Sequence, residues 1–168
     1  MDIVIGIDIG GTQTKMGLVD QNGECHDKII FRTKDYLDLD KYLDKIKETS
    51  EELIKNFGKP VNVLGCGIGA PNASSKNGTI ENASNLAWKG SVPLVEKLKQ
   101  RMDMPIRIMN DASAAALGEM LFGCAKNMTD FIVITLGTGF GAGIVANGRL
   151  IDGFDGFAGE LGHVDMTM

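Results

Sequence analysis

Among 168 residues there are only four prolines, three cysteines, two histidines and one tryptophan. Cys25, Cys66 and Cys124 are odd in number, far apart and in no CxxC pair. That spacing points away from a disulfide framework or a cysteine zinc site and suits a reducing compartment. Positive charge is also scarce: 17 Lys and Arg against 22 Asp and Glu leave a net charge of −5, so no general attraction to nucleic acid or an anionic membrane is expected. No GxxxxGK[ST] run is present, which excludes the usual P-loop. The chain begins Met1-Asp2 and enters an apolar strand without a basic segment, an apolar stretch and a cleavage site, so a cytoplasmic protein is expected. Its longest uncharged stretch, 131–148, is diluted by five glycines, two threonines and an asparagine. It reads as two strands meeting at a glycine turn and not as a membrane span.

Glycine is what the chain has in excess: 22 of 168 residues, about 13%, against a usual share of about 7%. Its placement follows the strands. Ile3 to Ile9 is rich in isoleucine and valine and ends at Gly10-Gly11, after which Thr14 to Val19 alternates again, the pattern of a hairpin. Asp20 to Gly23 is turn chemistry, and Lys28 to Thr33 returns as a third antiparallel strand. A helix is predicted from about Asp40 to Phe57, a buried strand over 61–68, a helix from a Ser91 cap through Met102, a strand over 105–109 and an alanine-rich helix over 112–122. Asn72 to Trp88 reads as a polar loop, with Trp88 its anchor, and His26 as a structural histidine in a turn. Strands over 131–135 and 142–146 then flank Gly137 to Gly141. The segments IDIGGTQTKMGLVDQNG and ITLGTGFGAGIVANG share one style, so an internal duplication is expected, with a second domain of the same build beginning near Thr129.

Four places carry candidate chemistry. Asp8 is a carboxylate within an apolar strand, where desolvation costs several kcal/mol unless a cation or donors compensate. The plain alternative is a strand-end aspartate facing solvent. Beside it, Gly10, Gly11 and Thr12 offer backbone N–H groups and a hydroxyl to phosphate oxygens, Asp8 offers a ligand to hydrated Mg²⁺, and Lys15 offers a point charge. Gly137-Thr138-Gly139 repeats the equipment, as a polyphosphate held between two lobes requires. The GxGxxA matches at Gly65 and Gly137 are followed by Pro71 and by a strand, where a dinucleotide fingerprint needs a helix. Asn110-Asp111 lies at a strand-to-helix junction. Asp111 is either a helix cap or a base that accepts a substrate hydroxyl proton while Asn110 bonds a neighbouring hydroxyl, and both can hold together. Glu160 and His163 stand at i, i+3, on one face if that turn is helical. Gly65, Gly67 and Gly69 are read as lining a strand end that faces a ligand, and Gly141 as part of the second phosphate turn.

Taken in order, DIGGTQTKMGLVD, GIGAPN, ENASNLAW, NDASAAALGE, LGTGFGAGIVANGRLIDG and AGELGH resemble the ROK family of repressors and sugar kinases. The GAPN and ENASNLAWKGSVPL segments are similar to its glucokinase branch. The resemblance implies an α/β, ribonuclease H-like lobe of the actin and hexokinase ATPase type over 1–118, and the beginning of a second lobe over 119–168. It implies ATP- and Mg²⁺-dependent phosphorylation of a hexose, glucose first, with Asp111 as general base and Asn110, Asp111, Glu160 and His163 binding the sugar. Asp8, Gly10, Gly11, Thr12, Lys15, Gly137, Thr138 and Gly139 would hold phosphates and Mg²⁺. A homo-oligomer, a dimer, is expected, with neither nucleic acid nor membrane as partner. The alternatives are a sugar-sensing regulator and a kinase for N-acetylmannosamine, N-acetylglucosamine or fructose. Two departures qualify this. Gln13 stands where the family often has lysine. The family's zinc motif, completed by the histidine at position 163, draws its cysteines from beyond Met168, so a truncated, inactive portion without zinc is expected.

Overall fold

The computed structural model describes residues 1–137, 139–154 and 156–162 in full, and His163 by its backbone alone. β1 (Asp2–Ile9), β2 (Gln13–Asp20) and β3 (Cys25–Arg32) form an antiparallel meander. β4 (Asn62–Ala70) pairs parallel to β1, and β8 (Ile106–Asn110) parallel to β4, giving the sheet order β3-β2-β1-β4-β8. Alternation along β1 sends Ile3, Ile5, Ile7 and Ile9 into the core. Met16 and Leu18 join them from β2, Tyr42, Leu43, Ile46 and Leu53 from α1 (Leu39–Asn56), and Leu94 and Leu98 from α2 (Leu94–Lys99). Asp38 caps α1, its Oδ1 accepting from the Lys41 N–H at 3.0 Å. Arg101, just after α2, bonds Asp40 and Asp44 of α1 at 2.9 and 2.7 Å, fastening the two helices side by side. A hydroxyl cluster enters this core: Thr14 Oγ1 lies 2.7 Å from the Tyr42 hydroxyl and 2.8 Å from Thr33 Oγ1. Burial lifts the Tyr42 phenol well above its ordinary value, so it stays neutral.

Three expectations fail for local reasons. The helix expected from Ser91 begins at Leu94. Val92 precedes Pro93, whose ring disfavours helical backbone in the residue before it, and Ser91 and Val92 instead form β7 (Ser91–Val92). The 72–88 segment is more than a loop: β5 (Ala73–Ser74), β6 (Thr79–Glu81) and β7 make a small antiparallel sheet. Left-handed Asn72 and Asn82 turn its corners, and Trp88 is buried with its ring 4.3 Å from that of Tyr42. Finally, His26 sits within β3 and not in a turn, yet it is structural, pairing with Asp20 at 3.0 Å and meeting Phe57 edge-on.

A second sheet follows: β9 (Phe131–Leu136), β10 (Phe140–Ala146) and β11 (Arg149–Leu150), antiparallel in the order β11-β10-β9. Like β1-β2-β3 it is a meander, and each first hairpin closes through three residues, 10–12 and 137–139. Between the sheets runs α3 (Asp111–Leu121). Its alanines meet glycines on both sides: a Cβ at Gly69 would lie 3.4 Å from Ala114 Cβ, and one at Gly143 only 2.5 Å from Ala116 Cβ. Among the described residues no helix is long and apolar enough to cross a membrane.

The cysteines divide by burial. Cys66 is 3% exposed, and burial pushes its thiol up to about 12, whereas Cys25 and Cys124 are exposed. Because the thiolate is the reactive form, a thiol reagent at neutral pH should titrate two cysteines in the native chain and the third only after unfolding. Cys124 should react more slowly than an ordinary exposed thiol, since the Glu119 carboxylate beside it raises its pKa.

Candidate functional site

The carboxyl ends of β1, β4 and β8 open onto a cleft of about 460 Å³. Gly10 and Gly11 lie on one side of it, Asn110, Asp111 and Glu160 on another, and Gly137 and Gly139 on the rim supplied by the second sheet. This is where open α/β sheets place ligands, beyond the ends of parallel strands. A groove of about 720 Å³ over the open face of the first sheet adjoins the cleft; Asp8 and Lys15 line the groove, and Asp111 and Thr135 border both.

Asn110 and Asp111 divide the junction's labour. The cap of α3 is Asn110: its Oδ1 accepts from the Ala112 N–H at 2.9 Å and the Ser113 N–H at 3.2 Å. Its amide nitrogen is thereby turned towards the second sheet's side, where it donates to Glu160 Oε1 at 3.2 Å. Asp111 is the first helical residue; one carboxylate oxygen accepts from the Ala112 N–H at 2.8 Å, and the side chain stands exposed in the cleft. The chain thus fixes the carboxylate's orientation without burying it.

Several expected site residues need correction. Asp8 is not desolvated: even-numbered residues of β1 turn away from the isoleucine core, and the Asp8 side chain is 53% exposed. The desolvation argument for its function therefore fails, because alternation decides burial and the neighbouring isoleucines do not. Lys15, opposite Asp8 in the hairpin register, donates to Asp8 Oδ2 at 3.0 Å. Thr12 is exposed and is not among the described residues lining cleft or groove. Gly65 does not line the ligand end of β4; its missing Cβ makes room for the Pro105 carbonyl, 2.7 Å away, beside the start of β8. Gly141 lies within β10 and not in the turn; it lines the cleft, and a Cβ there would meet Thr135 Oγ1 at 2.8 Å and Ala112 Cβ at 3.2 Å, so packing also requires it. Gly137 and Gly139 have open space where a side chain would project. Thr138 and the His163 side chain lie outside the described residues.

Sequence reasoning missed the loop 82–89, which brings Ser84 and Asn85 into the cleft. Its backbone abuts the first glycine turn: a Cβ on Gly11 would fall 2.7 Å from the Asn85 carbonyl oxygen. The available signal was the residue content of ENASNLAWK, polar side chains between apolar anchors. It gave no indication of where the loop would sit.

For ions, the described residues offer one compact set of histidine and carboxylate ligands, Asp20, Glu24 and His26, with ligand atoms within 4.8 Å of one another. It lies near the amino-terminal end of β1, since Asp20 pairs with Ile3, at the other end of the strand from the cleft. Hydrogen bonding from His26 chiefly, then from the Asn22 and Glu24 N–H groups, holds the Asp20 carboxyl below its ordinary pKa. In the cleft, no Lys or Arg stands among the described lining residues, and the N–H groups of Gly10 and Gly137 are engaged within their own turns, donating to the Gln13 and Gly139 carbonyls at 3.0 Å.

Residues 4–168 match the ROK family model. The chain belongs to the ROK family. It is similar to a glucokinase of Halalkalibacterium halodurans, 36% identical over 95% of this chain and 49% of that protein. It is also similar to a xylose repressor of Caldicellulosiruptor bescii, 37% identical over 98% of this chain and 41% of the repressor. Among solved structures, a ROK family glucokinase from Streptomyces griseus in complex with glucose and AMPPNP superposes with a TM-score of 0.84 at 35% identity, covering 98% of this chain and 51% of that one. This ROK chain therefore has the actin and hexokinase-like fold and spans about half the length of the relatives it matches.

Proposed function

We propose that the whole protein is an ATP-dependent hexose kinase whose substrate is glucose. The observation that carries this reading is the convergence of Asn110, Asp111 and Glu160 on a cleft whose rim holds Gly10, Gly11, Gly137 and Gly139. Asp111 accepts the proton of the attacking sugar hydroxyl, while Asn110 and Glu160, already hydrogen-bonded to each other, position neighbouring hydroxyls. Phosphate oxygens are received by N–H groups of the two glycine turns other than those of Gly10 and Gly137, which close the turns by donating to the Gln13 and Gly139 carbonyls. Phosphoryl transfer requires chiefly positioning and charge neutralisation, and a cleft poor in cationic side chains leaves part of that neutralisation to a divalent ion. Asp8, exposed in the adjoining groove and two residues before Gly10, would hold a hydrated Mg²⁺ once Lys15, which donates to the same carboxylate at 3.0 Å, is displaced by the ion. Bound there, the ion would offset phosphate charge. The similarity to a glucokinase supports glucose over other hexoses.

The resemblance to a xylose repressor favours a second reading, a sugar-sensing regulator built on the same domain. One experiment separates the two. The full-length protein, supplied with ATP and Mg²⁺, is screened by coupled ADP release on glucose, fructose, N-acetylglucosamine and N-acetylmannosamine. Turnover with the highest kcat/KM on glucose is the expected result. Sugar binding with no ADP release on any of the four, together with binding to DNA, would overturn the kinase reading in favour of the regulator.

A further inference from the structure

Lys89 follows the buried Trp88 and stands outside the core, yet its ammonium is fully engaged. Nζ donates to the carbonyls of Leu86 at 2.8 Å, Ser84 at 3.2 Å and Ala83 at 3.5 Å. An ammonium has three donors and no acceptor, and here it reaches three carbonyls of a four-residue stretch, two within ordinary hydrogen-bond distance and that of Ala83 at a longer 3.5 Å. That stretch is pinned in two further ways: Ala83, Leu86 and Trp88 are buried, and the Asn82 N–H donates to the Gly90 carbonyl at 3.0 Å. Between the buried anchors, Ser84 and Asn85 are exposed to the cleft that holds Asp111. The Asn85 backbone also presses against Gly11. Without the cation those carbonyls turn to water, and Ser84 and Asn85, exposed between the buried anchors, lose the contact that fixes their backbone.

We infer that Lys89 is a positioning residue for the hexose site: its ammonium fixes the loop that presents Ser84 and Asn85 to the sugar and backs the first glycine turn. The inference rests on the kinase reading for its substrate. Lys89 touches no substrate itself. Its loss weakens binding of the sugar alike in ground and transition states, which raises KM and leaves kcat and the chemistry of Asp111 in place.

The test uses the full-length protein with Lys89→Met and Lys89→Arg. Glucose KM and kcat, ATP KM, glucose Kd by isothermal titration and the melting temperature are measured for each. Lys89→Met should raise glucose KM and Kd about tenfold, the loss of about one net hydrogen bond, while kcat stays within about twofold and ATP KM rises less than glucose KM. Lys89→Arg, which keeps charge and donors, should recover most of that loss. A glucose KM and Kd unchanged in Lys89→Met, or a fall in kcat with no change in glucose KM, would overturn the inference. So would a KM defect that tracks a lowered melting temperature and is not rescued by arginine. If the wild-type protein binds glucose without turning it over, the kinase reading falls and the Kd comparison still decides the role of Lys89. If it neither binds nor phosphorylates glucose, both fall.

Discussion

Asp111→Asn in the full-length protein is expected to lower kcat on glucose by about 10²- to 10⁴-fold, the usual contribution of a positioned general base. The substitution is close to isosteric, and an asparagine oxygen still accepts from the Ala112 N–H that Asp111 holds at 2.8 Å. What disappears is the basic carboxylate and one negative charge at the first turn of α3. That charge interacts favourably with the helix dipole, and its removal costs about 0.3–1 kcal/mol, too little to unfold the domain. The cap itself resides on Asn110 and is untouched. Glucose affinity by titration should therefore change little while turnover collapses. Near-normal kcat in Asp111→Asn would remove Asp111 from the role of base. A collapse of both affinity and turnover with a much lower melting temperature would mark it as structural instead.

The strands that position Asp111 were legible because each runs over several residues in one periodicity. Isoleucines at 3, 5, 7 and 9 announce β1 and its buried face, and the apolar segment before Asn110 announces β8. The same period, counted from Ile7 and Ile9, also gives the exposure of Asp8. The small sheet over 73–92 was not legible, because strands of two and three residues carry no period, and its corners are asparagines held left-handed by contacts that arise only in the folded chain. Lys89 was hidden for a related reason. Its partners are main-chain carbonyls, which leave no trace in the identities of the residues that bear them. Asn110-Asp111 stands out in the sequence as a pair, and it is the hydrogen bonds that separate the cap, Asn110, from the exposed carboxylate of Asp111.

The glycines show where residue type under-determines purpose, and a pair of substitutions tells two purposes apart. Gly143→Ala is expected to lower the stability of the protein by about 1–3 kcal/mol, the usual cost of overpacking, with a fall in melting temperature of about 3–10 °C. A Cβ at position 143 would lie 2.5 Å from the Ala112 carbonyl oxygen and 2.5 Å from Ala116 Cβ. Neither is the far end of a flexible side chain, so α3 must move away from β10. Because α3 begins at Asp111, the displacement is carried to the cleft, and a shift of about 1 Å there can cost about 10²-fold in rate. Gly139→Ala is the contrast: nothing lies within 4 Å of where its Cβ would project, so the melting temperature should hold, as for surface substitutions within about 0.5 kcal/mol. If the second glycine turn receives phosphate through its backbone, the added methyl should raise ATP KM and leave glucose Kd unchanged. Calorimetry and initial-rate kinetics on the two variants decide between close packing and close approach of a ligand. A Gly139→Ala protein with wild-type ATP KM would remove that turn from the phosphate site, and a Gly143→Ala protein with wild-type melting temperature would mean that α3 and β10 are not held as tightly as their backbones suggest.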